Sequence, residues 1–563
     1  MSLYKHSLLL IVTVIGHLIS FAQTAPGKYW IQFTNKDNTG YSLSDPSQFL
    51  SPKTIDKRLR FQLGFDYRDL PVNVSYIEAV KSLCDCNVHN TSKWFNAISI
   101  QTDNSDVLPL IASLDFVSEV RSVRTMINES FDEESKFLIE QHDRGGSDQI
   151  ITQHEFESSY GPSYSQINTI NGLSLHALGL KGEGISIAVF DAGWSMVDKL
   201  PAFDYLISHG GIVETRDFVA PQNHDVYNLS THGMFVLSIM AGVIADSLYG
   251  TAPDADYYLF RTEDPLSEYL VEEDNWVSAA EYADSIGIDI INSSLGYSLF
   301  QDETQNHSYA DMDGNTTRIS IAADIAASKG IFVVNSAGNS GASDWRYITA
   351  PSDGDSVLCV GAISADSLRA SFSSFGPSFD GDVKPNVCAI GFETVIADLD
   401  STIRVGNGTS FSAPVIAGMT ACLMQAYKSR KPMELFRAIE QSAHLYRNPD
   451  DGLGYGVPDF WKAFTILQGN TAWTEDGLPE VLLFPNPCTD HLKVIISDER
   501  ASTVHYEIYD PAGRRIVDGS GALQSNETGF LLLSDSIRNL AVGFYHLHLK
   551  IGHDHTVIKF SKI

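Results

Sequence analysis

Four residues of this chain are of the kinds that together can open an amide by nucleophilic attack: Asp191, His232, Asn339 and Ser410, in that order. Ser410 stands in Val405-Gly-Asn-Gly-Thr-Ser-Phe-Ser-Ala-Pro-Val-Ile-Ala-Gly418, after Gly406, Gly408 and Thr409 and ahead of a run, 411–427, with the composition of a buried helix. Glycines let a backbone turn tightly, and a helix starting at the serine aims free N–H groups and a partial positive charge at its hydroxyl. Pro414 is expected in the first helical turn, where its missing N–H does no harm. By itself such a serine reads most simply as a helix cap. Asp191 ends the apolar strand-like run 185–190, His232 opens a second apolar helix, and Asn339 lies in the turn after a β-branched strand, 330–335. Each has an ordinary local reading as a turn or cap residue. Jointly they assign Ser410 as nucleophile, His232 as general base and then acid, Asp191 as the group that orients and stabilises the imidazolium, and Asn339 as side-chain donor to the oxyanion. A protonated imidazole cannot act as a base, so the rate is expected to fall in acid.

On these residues the chain resembles the subtilisin-like serine peptidases. The motifs that carry the resemblance are Val189-Phe-Asp-Ala-Gly193, Thr231-His-Gly-Met234 with Ala241-Gly242, Ile291-Asn-Ser-Ser-Leu-Gly296, Ser336-Ala-Gly-Asn339 and Gly408-Thr-Ser-Phe-Ser-Ala-Pro414, in family order. The resemblance implies that Ser293, Leu295 and Gly296 form the extended segment that pairs with substrate backbone. It also implies an endopeptidase acting on proteins or peptides through an acyl-enzyme on Ser410, with no cofactor and no metal. One departure is Ala192, which replaces the usual hydroxyl residue after the catalytic aspartate and leaves the triad intact.

The elements that must position these residues follow from the pattern around them. Buried-strand runs at 185–190, 288–292, 331–335 and 357–360 alternate with helix-like runs at 234–245, 277–285, 319–329 and 411–427. Such alternation predicts an α/β domain, residues 160–469, with a mainly parallel, doubly wound sheet covered by helices on both faces. Asp191 and Asn339 then fall beyond carboxyl ends of strands, where open α/β sheets place function.

At 563 residues the chain is too long for one core and is expected to divide further. Residues 1–22 read as a secretory signal: Lys5 and His6 precede an apolar run, 8–21, and Ser20-Phe-Ala22 supplies small residues for cleavage. No later segment reaches the length of a spanning helix, so no integral membrane segment is expected in the mature chain. Residues 28–125 carry strand-like runs at 29–33, 94–100 and 116–123 and helix-like runs at 74–83 and 107–114, a small α+β module. By the resemblance this is a propeptide, the enzyme's own inhibitor, with the activating cut in a flexible linker, 126–158. A permanent N-terminal domain is the other reading.

After a linker at 470–480, residues 481–563 alternate apolar and polar residues between Gly, Pro, Asn and Asp turns, which predicts an all-β sandwich. Phe484-Pro-Asn-Pro487, Tyr509-Asp-Pro-Ala-Gly-Arg514 and the ending from Gly543-Phe-Tyr545 to Lys559 resemble the sorting domain of the Bacteroidetes type IX secretion system. The resemblance implies that secretion machinery as a partner, passage through the periplasm, and either release or attachment at the outer-membrane surface. A substrate-binding or adhesive sandwich is the plainer alternative.

With 38 Lys and Arg against 70 Asp and Glu, the formal charge of −32 argues against nucleic acid or anionic membranes as partners. Six cysteines are too few for a disulfide framework; Cys359 with Cys388 is the pair to test, and Cys422 is expected in the core. Asp311-Met-Asp-Gly-Asn315 alternates oxygen ligands like a calcium loop, but Ala322 stands where a bidentate Glu is needed. The segment 297–317 reads instead as a polar insertion shaping substrate access. His546, His548, His553 and His555 suggest a metal only superficially, since the first two simply share a strand face. Two further functions remain open from the residues: a catalytically silent surface or adhesive protein, and a dedicated processing peptidase or transpeptidase.

Overall fold

The computed structural model describes residues 27–84, 86–124, 136, 160–468, 481–484, 486, 488–496, 503–522, 529–551 and 554–562. The signal-like segment 1–22 and the linkers 126–158 and 470–480 lie outside these, apart from Lys136.

Seven parallel strands form the central sheet, in the order Val387–Ile390, Val357–Ile363, Phe332–Ser336, Ile290–Ser293, Ser186–Asp191, Asp256–Arg261, Ile212–Asp217. Buried on both faces, its inner strands are continuous apolar runs and not alternating ones. Successive side chains still point to opposite faces. Ile187 and Val189 enter one core with the helices His232–Ala241 and Thr409–Ala426, while Ala188 and Phe190 enter the other with the helix Val271–Ile286 and its neighbour Arg318–Ser328. The sequence missed the strands Ile212–Asp217, Asp256–Arg261 and Val387–Ile390, the first because its residues are largely polar and only partly buried.

Pro414 corrects the expectation made for it. The helix begins at Thr409, so the proline is its sixth residue and lies inside it. A proline there cannot bond the carbonyl four residues back, which is that of Ser410. The Ser294 hydroxyl donates to that carbonyl instead, at 2.9 Å.

Before this α/β domain lies an antiparallel sheet in the order Asn87–Ser92, Ala97–Thr102, Gly27–Phe33, Val117–Arg124. The expected helix Val74–Leu83 is present, whereas the run 94–100 is strand only from Ala97. Asn96 takes a left-handed φ of 55°, which an asparagine tolerates, and turns the hairpin that makes Asn87–Ser92 an additional strand. Ile31, Phe33, Ile98 and Ile100 face this unit's own core, while Trp30, Trp94, Ala97 and Val123 join the core of the α/β domain beneath Val271–Ile286.

After the α/β domain come two antiparallel sheets, Val481–Phe484, Lys493–Ile496 and Gly529–Leu532 in one, and Arg515–Ala522, Thr503–Tyr509, Gly543–Ile551 and Asp554–Lys562 in the other. They close on a shared core of Val494, Ile496, Val504, Ile508, Leu547 and Leu549.

The cysteines also depart from expectation. Cys84 and Cys86 form a disulfide, and Cys359 and Cys388 are free, buried thiols. They lie on adjacent strands, but Cys388 stands opposite Gly361, two positions along from Cys359. Side chains at that offset do not meet directly. Cys422 is buried in the Ser410 helix as expected, its thiol donating to the Thr251 carbonyl at 3.2 Å.

Candidate active site

Asp191 is the last residue of the strand Ser186–Asp191 and is fully buried. Its carboxylate accepts from the Ala192 N–H at 2.7 Å and from His232 Nδ1 at 2.9 and 3.0 Å. His232 opens its helix, with the Ser230 hydroxyl accepting from its backbone N–H at 3.1 Å. Gly233 next to it is obligatory: a Cβ there would lie 2.4 Å from the Gly193 carbonyl oxygen, so the helix start closes directly on the turn after Asp191. The His232 ring stacks on Phe411, the residue after Ser410, with centroids 6.2 Å apart. Ser410 is buried at the start of its helix and its hydroxyl donates to the Ser294 carbonyl at 3.3 Å.

Asn339 stands in the turn beyond Phe332–Ser336, after Gly338, whose φ of +100° favours glycine. The Asn339 side-chain oxygen accepts from both the backbone N–H and the hydroxyl of Thr409, each at 2.9 Å. Thr409 thus holds the carboxamide by its oxygen and leaves its NH2 beside Gly408, where a Cβ would sit 3.6 Å from that nitrogen. The structure therefore gathers all four sequence-derived residues at the carboxyl end of the sheet.

The three residues expected to line the cleft separate. Ser293 is fully buried and accepts from the Trp276 indole N–H at 3.0 Å. Leu295 is buried, with its carbonyl accepting from Asn335 at 2.9 Å. Gly296 is exposed, and a side chain there would strike the Thr349 hydroxyl, 2.2 Å from its would-be Cβ. In the segment 297–317 the carboxylates serve their own turns: Asp311 accepts from the Ser308 N–H and hydroxyl, and Asp313 from the Asn315 N–H and Thr316 hydroxyl.

Sequence reasoning assigned no role to Thr409, which donates to the Asn339 side-chain oxygen, or to Ser294, whose hydroxyl donates to the Ser410 carbonyl. It also passed over Glu263, Glu268 and Glu272, whose carboxylates converge beside Asp191 within 4.8 Å of one another. Burial pushes the Glu263 carboxyl up to about 7. Their only visible signal was the density of acids between 263 and 274.

Comparisons with known proteins bear on the three units of the chain. Residues 182–456 match the subtilase family, residues 28–137 the peptidase S8 propeptide domain of Bacteroidota, and residues 482–562 the secretion system C-terminal sorting domain. Subtilisin NAT of Bacillus subtilis subsp. natto is 27% identical over 298 residues, 52% of this chain and 69% of the relative. The thermophilic serine proteinase of Bacillus sp. (strain AK1) is 29% identical over 50% of this chain and 62% of its own length. Subtilisin-like protease SBT6.1 of Arabidopsis thaliana is 27% identical over 57% of this chain and 31% of its own. No helix among the described residues is long and apolar enough to cross a membrane. Residues 182–456 are thus a subtilase-family domain, and the chain carrying it is an exported serine peptidase made as a precursor, with its own propeptide and C-terminal sorting domain.

Proposed function

We propose that Ser410, His232 and Asp191 are the catalytic triad of an endopeptidase and that Asn339 completes its oxyanion hole. The observation that carries this reading is the buried Asp191 carboxylate receiving His232 Nδ1–H at 2.9 Å. That bond fixes the tautomer in which Nε2 is the basic nitrogen, and the stack on Phe411 sets the ring beside Ser410. Ser410 Oγ attacks the scissile carbonyl as His232 takes its proton; the Asn339 NH2 and the Ser410 N–H receive the oxyanion; His232 then protonates the leaving amine and activates the water that frees the acyl group. Gly296 supplies the exposed backbone of the substrate-pairing segment, with Ser293 and Leu295 holding it from beneath.

The N-terminal unit acts as the inhibitor of the precursor, the activating cut falls within 126–158, and residues 481–563 engage the type IX machinery and remain or leave at the cell surface. Fluorophosphonate labelling of the secreted protein tests the central assignment: label on Ser410, lost in Ser410→Ala, is expected, and a fully trimmed chain that takes no label refutes it. Asn339→Ala should bind substrate nearly normally and turn over about 10²–10³-fold more slowly, the size known for such a donor in subtilisin itself. Wild-type turnover in that variant would remove Asn339 from the oxyanion hole.

A further inference from the structure

Glu263 follows the strand that runs beside Asp191: the N–H of Thr262 donates to the Asp191 carbonyl at 3.0 Å. Its carboxylate also accepts from the hydroxyl of Tyr297, the residue after Gly296. Glu272 stands in the first turn of Val271–Ile286, and Glu268 in the loop between. The three carboxylates therefore border the substrate-pairing segment. Glu263 and Glu272 have side chains only 1% exposed, and Glu268 13%.

What separates this cluster from an ordinary acidic patch is its occupant. Lys136 Nζ lies 2.7 Å from Glu263, 2.9 Å from Glu268 and 2.7 Å from Glu272, and donates to the carbonyls of Asp264 at 3.1 Å and Ser267 at 2.6 Å. Burial alone would lower the Lys136 pKa, but the carboxylates overcome it and hold the ammonium well above its usual range. Burial likewise raises Glu268 and Glu272. Two other acidic groupings, His505 with Glu507 and Asp518, and Asp355 with Asp380 and Asp382, are more exposed.

Lys136 falls at the end of the propeptide match, 28–137, and ahead of the peptidase match, which begins at 182. A cut between them separates the ammonium from its three carboxylates. Buried charges of one sign must then be paired again or take up protons, and a second cation in the same place restores the pairing that Lys136 provided. The site has the form of one that holds a terminal cation on an apolar stem presented by a peptide, beside the cleft where substrates lie.

We propose that Glu263, Glu268 and Glu272 form an acidic subsite that takes a lysine or arginine side chain of the substrate, and that Lys136 fills it in the precursor. This rests on the reading of Ser410 as the nucleophile.

The test profiles the mature enzyme, made by processing of the full chain, on peptides carrying Lys, Arg, norleucine, Gln or Glu at each position in turn. At one position Lys and Arg should raise kcat/KM about tenfold or more over norleucine, the scale on which a paired buried charge discriminates. Glu268→Gln, the least buried of the three, should erase most of that ratio while leaving ratios at other positions alone. Should that variant fail to fold, the lysine-to-norleucine comparison on the unaltered enzyme still decides. Equal rates for lysine and norleucine at every position, in an enzyme that labels at Ser410 and cuts unfolded protein, overturn the subsite and leave the nucleophile standing. Calcium titrated into the mature enzyme and bound there, with binding lost in Glu268→Gln, overturns it in favour of a metal site. Absence of label on Ser410 removes the reading beneath both.

Discussion

The two units flanking the peptidase are held to it by different chemistry. On the N-terminal side, buried charges do the fastening. Arg58 pairs with Asp69 of its own unit at 3.1 Å and with Asp284 of the peptidase helix Val271–Ile286 at 2.6 Å, and Lys93 reaches Asp284 at 3.0 Å. Lys329 of the peptidase pairs in return with Asp69 at 3.0 Å. Glu281 accepts from the Ser92 hydroxyl and the N–H groups of Lys93 and Trp94, at 2.6, 2.6 and 2.9 Å. On the C-terminal side the ties are hydrogen bonds to backbone carbonyls, Gln468 to Leu483 at 2.7 Å and Lys493 to Ala177 at 3.3 Å, with Phe464 and Phe484 meeting edge to face. Charges buried across an interface add little net affinity but forbid misplacement, because any other register leaves them unpaired. That suits a propeptide, which must cover one face and then leave. A sorting tail only has to be displayed.

The contrast is broken most severely at Arg58. In Arg58→Ala, Asp69 and Asp284, both fully buried, lose a shared counter-charge. Removing one partner of a buried pair costs about 3–5 kcal/mol, so release of the nicked N-terminal unit should become at least a hundredfold easier. The measurement is the dissociation constant of that unit from the peptidase in a Ser410→Ala background after limited cleavage of the linker. An unchanged constant would mean that the Arg58 pairs add nothing to docking beyond the contacts that remain, Lys93 with Asp284, Lys329 with Asp69 and the apolar Trp30 and Trp94.

These differences bear on what could be read from residues alone. The parallel sheet was legible because runs such as 185–190 and 331–335 are continuously apolar, and the four candidate residues because Asp191 ends one such run, Asn339 follows another, and His232 and Ser410 stand at the openings of apolar helices. Pro414 was misjudged because it stands four residues past Ser410, beyond the first turn even of a helix that starts at the serine; the carbonyl it orphans is served by a serine hydroxyl 116 residues away. Arg58, Lys93 and Asp284 look like surface residues in any local window. Their burial exists only once two units meet, and Lys136 among its glutamates is the same case over a longer separation. Local periodicity reports which face is apolar; it carries nothing on which charges will find partners.

A pH experiment sharpens the contrast at the next level. His89 lies at the same interface, with Lys28 Nζ and the Asn275 side-chain oxygen each 3.2 Å from its Nε2. Burial, with the Lys28 charge adding to it, lowers its pKa from 6.5 to about 3. The docked state therefore resists a proton that the released unit accepts once the pH falls below 6.5. Docking weakens from 6.5 down toward 3, by a factor approaching ten per pH unit. Glu281 opposes this: burial raises it to about 7, so docking gains as pH falls from 7 toward its ordinary 4.5. Asp284 acts below both, since its partners hold it near 2 against a burial that would raise it, and docking loses that contribution as pH falls from 3.8 to 2. Glu281 and Asp284 act alike in wild type and in His89→Asn, so the ratio of the two dissociation constants isolates the histidine. It should be constant above pH 7.5 and should then favour the variant progressively through pH 6, 5 and 4. A ratio independent of pH would mean that His89 is not desolvated by docking.

The smallest effect is expected on the tail. Gln468→Ala removes the donor to the Leu483 carbonyl, a partly buried neutral hydrogen bond worth about 0.5–1.5 kcal/mol, with no charge left stranded. The Phe464–Phe484 contact remains, along with Ile495 in the peptidase core. Peptidase melting temperature and propeptide release should therefore be unchanged, with at most a slightly faster nicking between 468 and 481 by an added protease. A loss of peptidase stability as large as the docking energy expected to be lost in Arg58→Ala, about 3–5 kcal/mol, would show that the C-terminal unit is structurally integrated, and the asymmetry between a fitted propeptide and a displayed tail would fail.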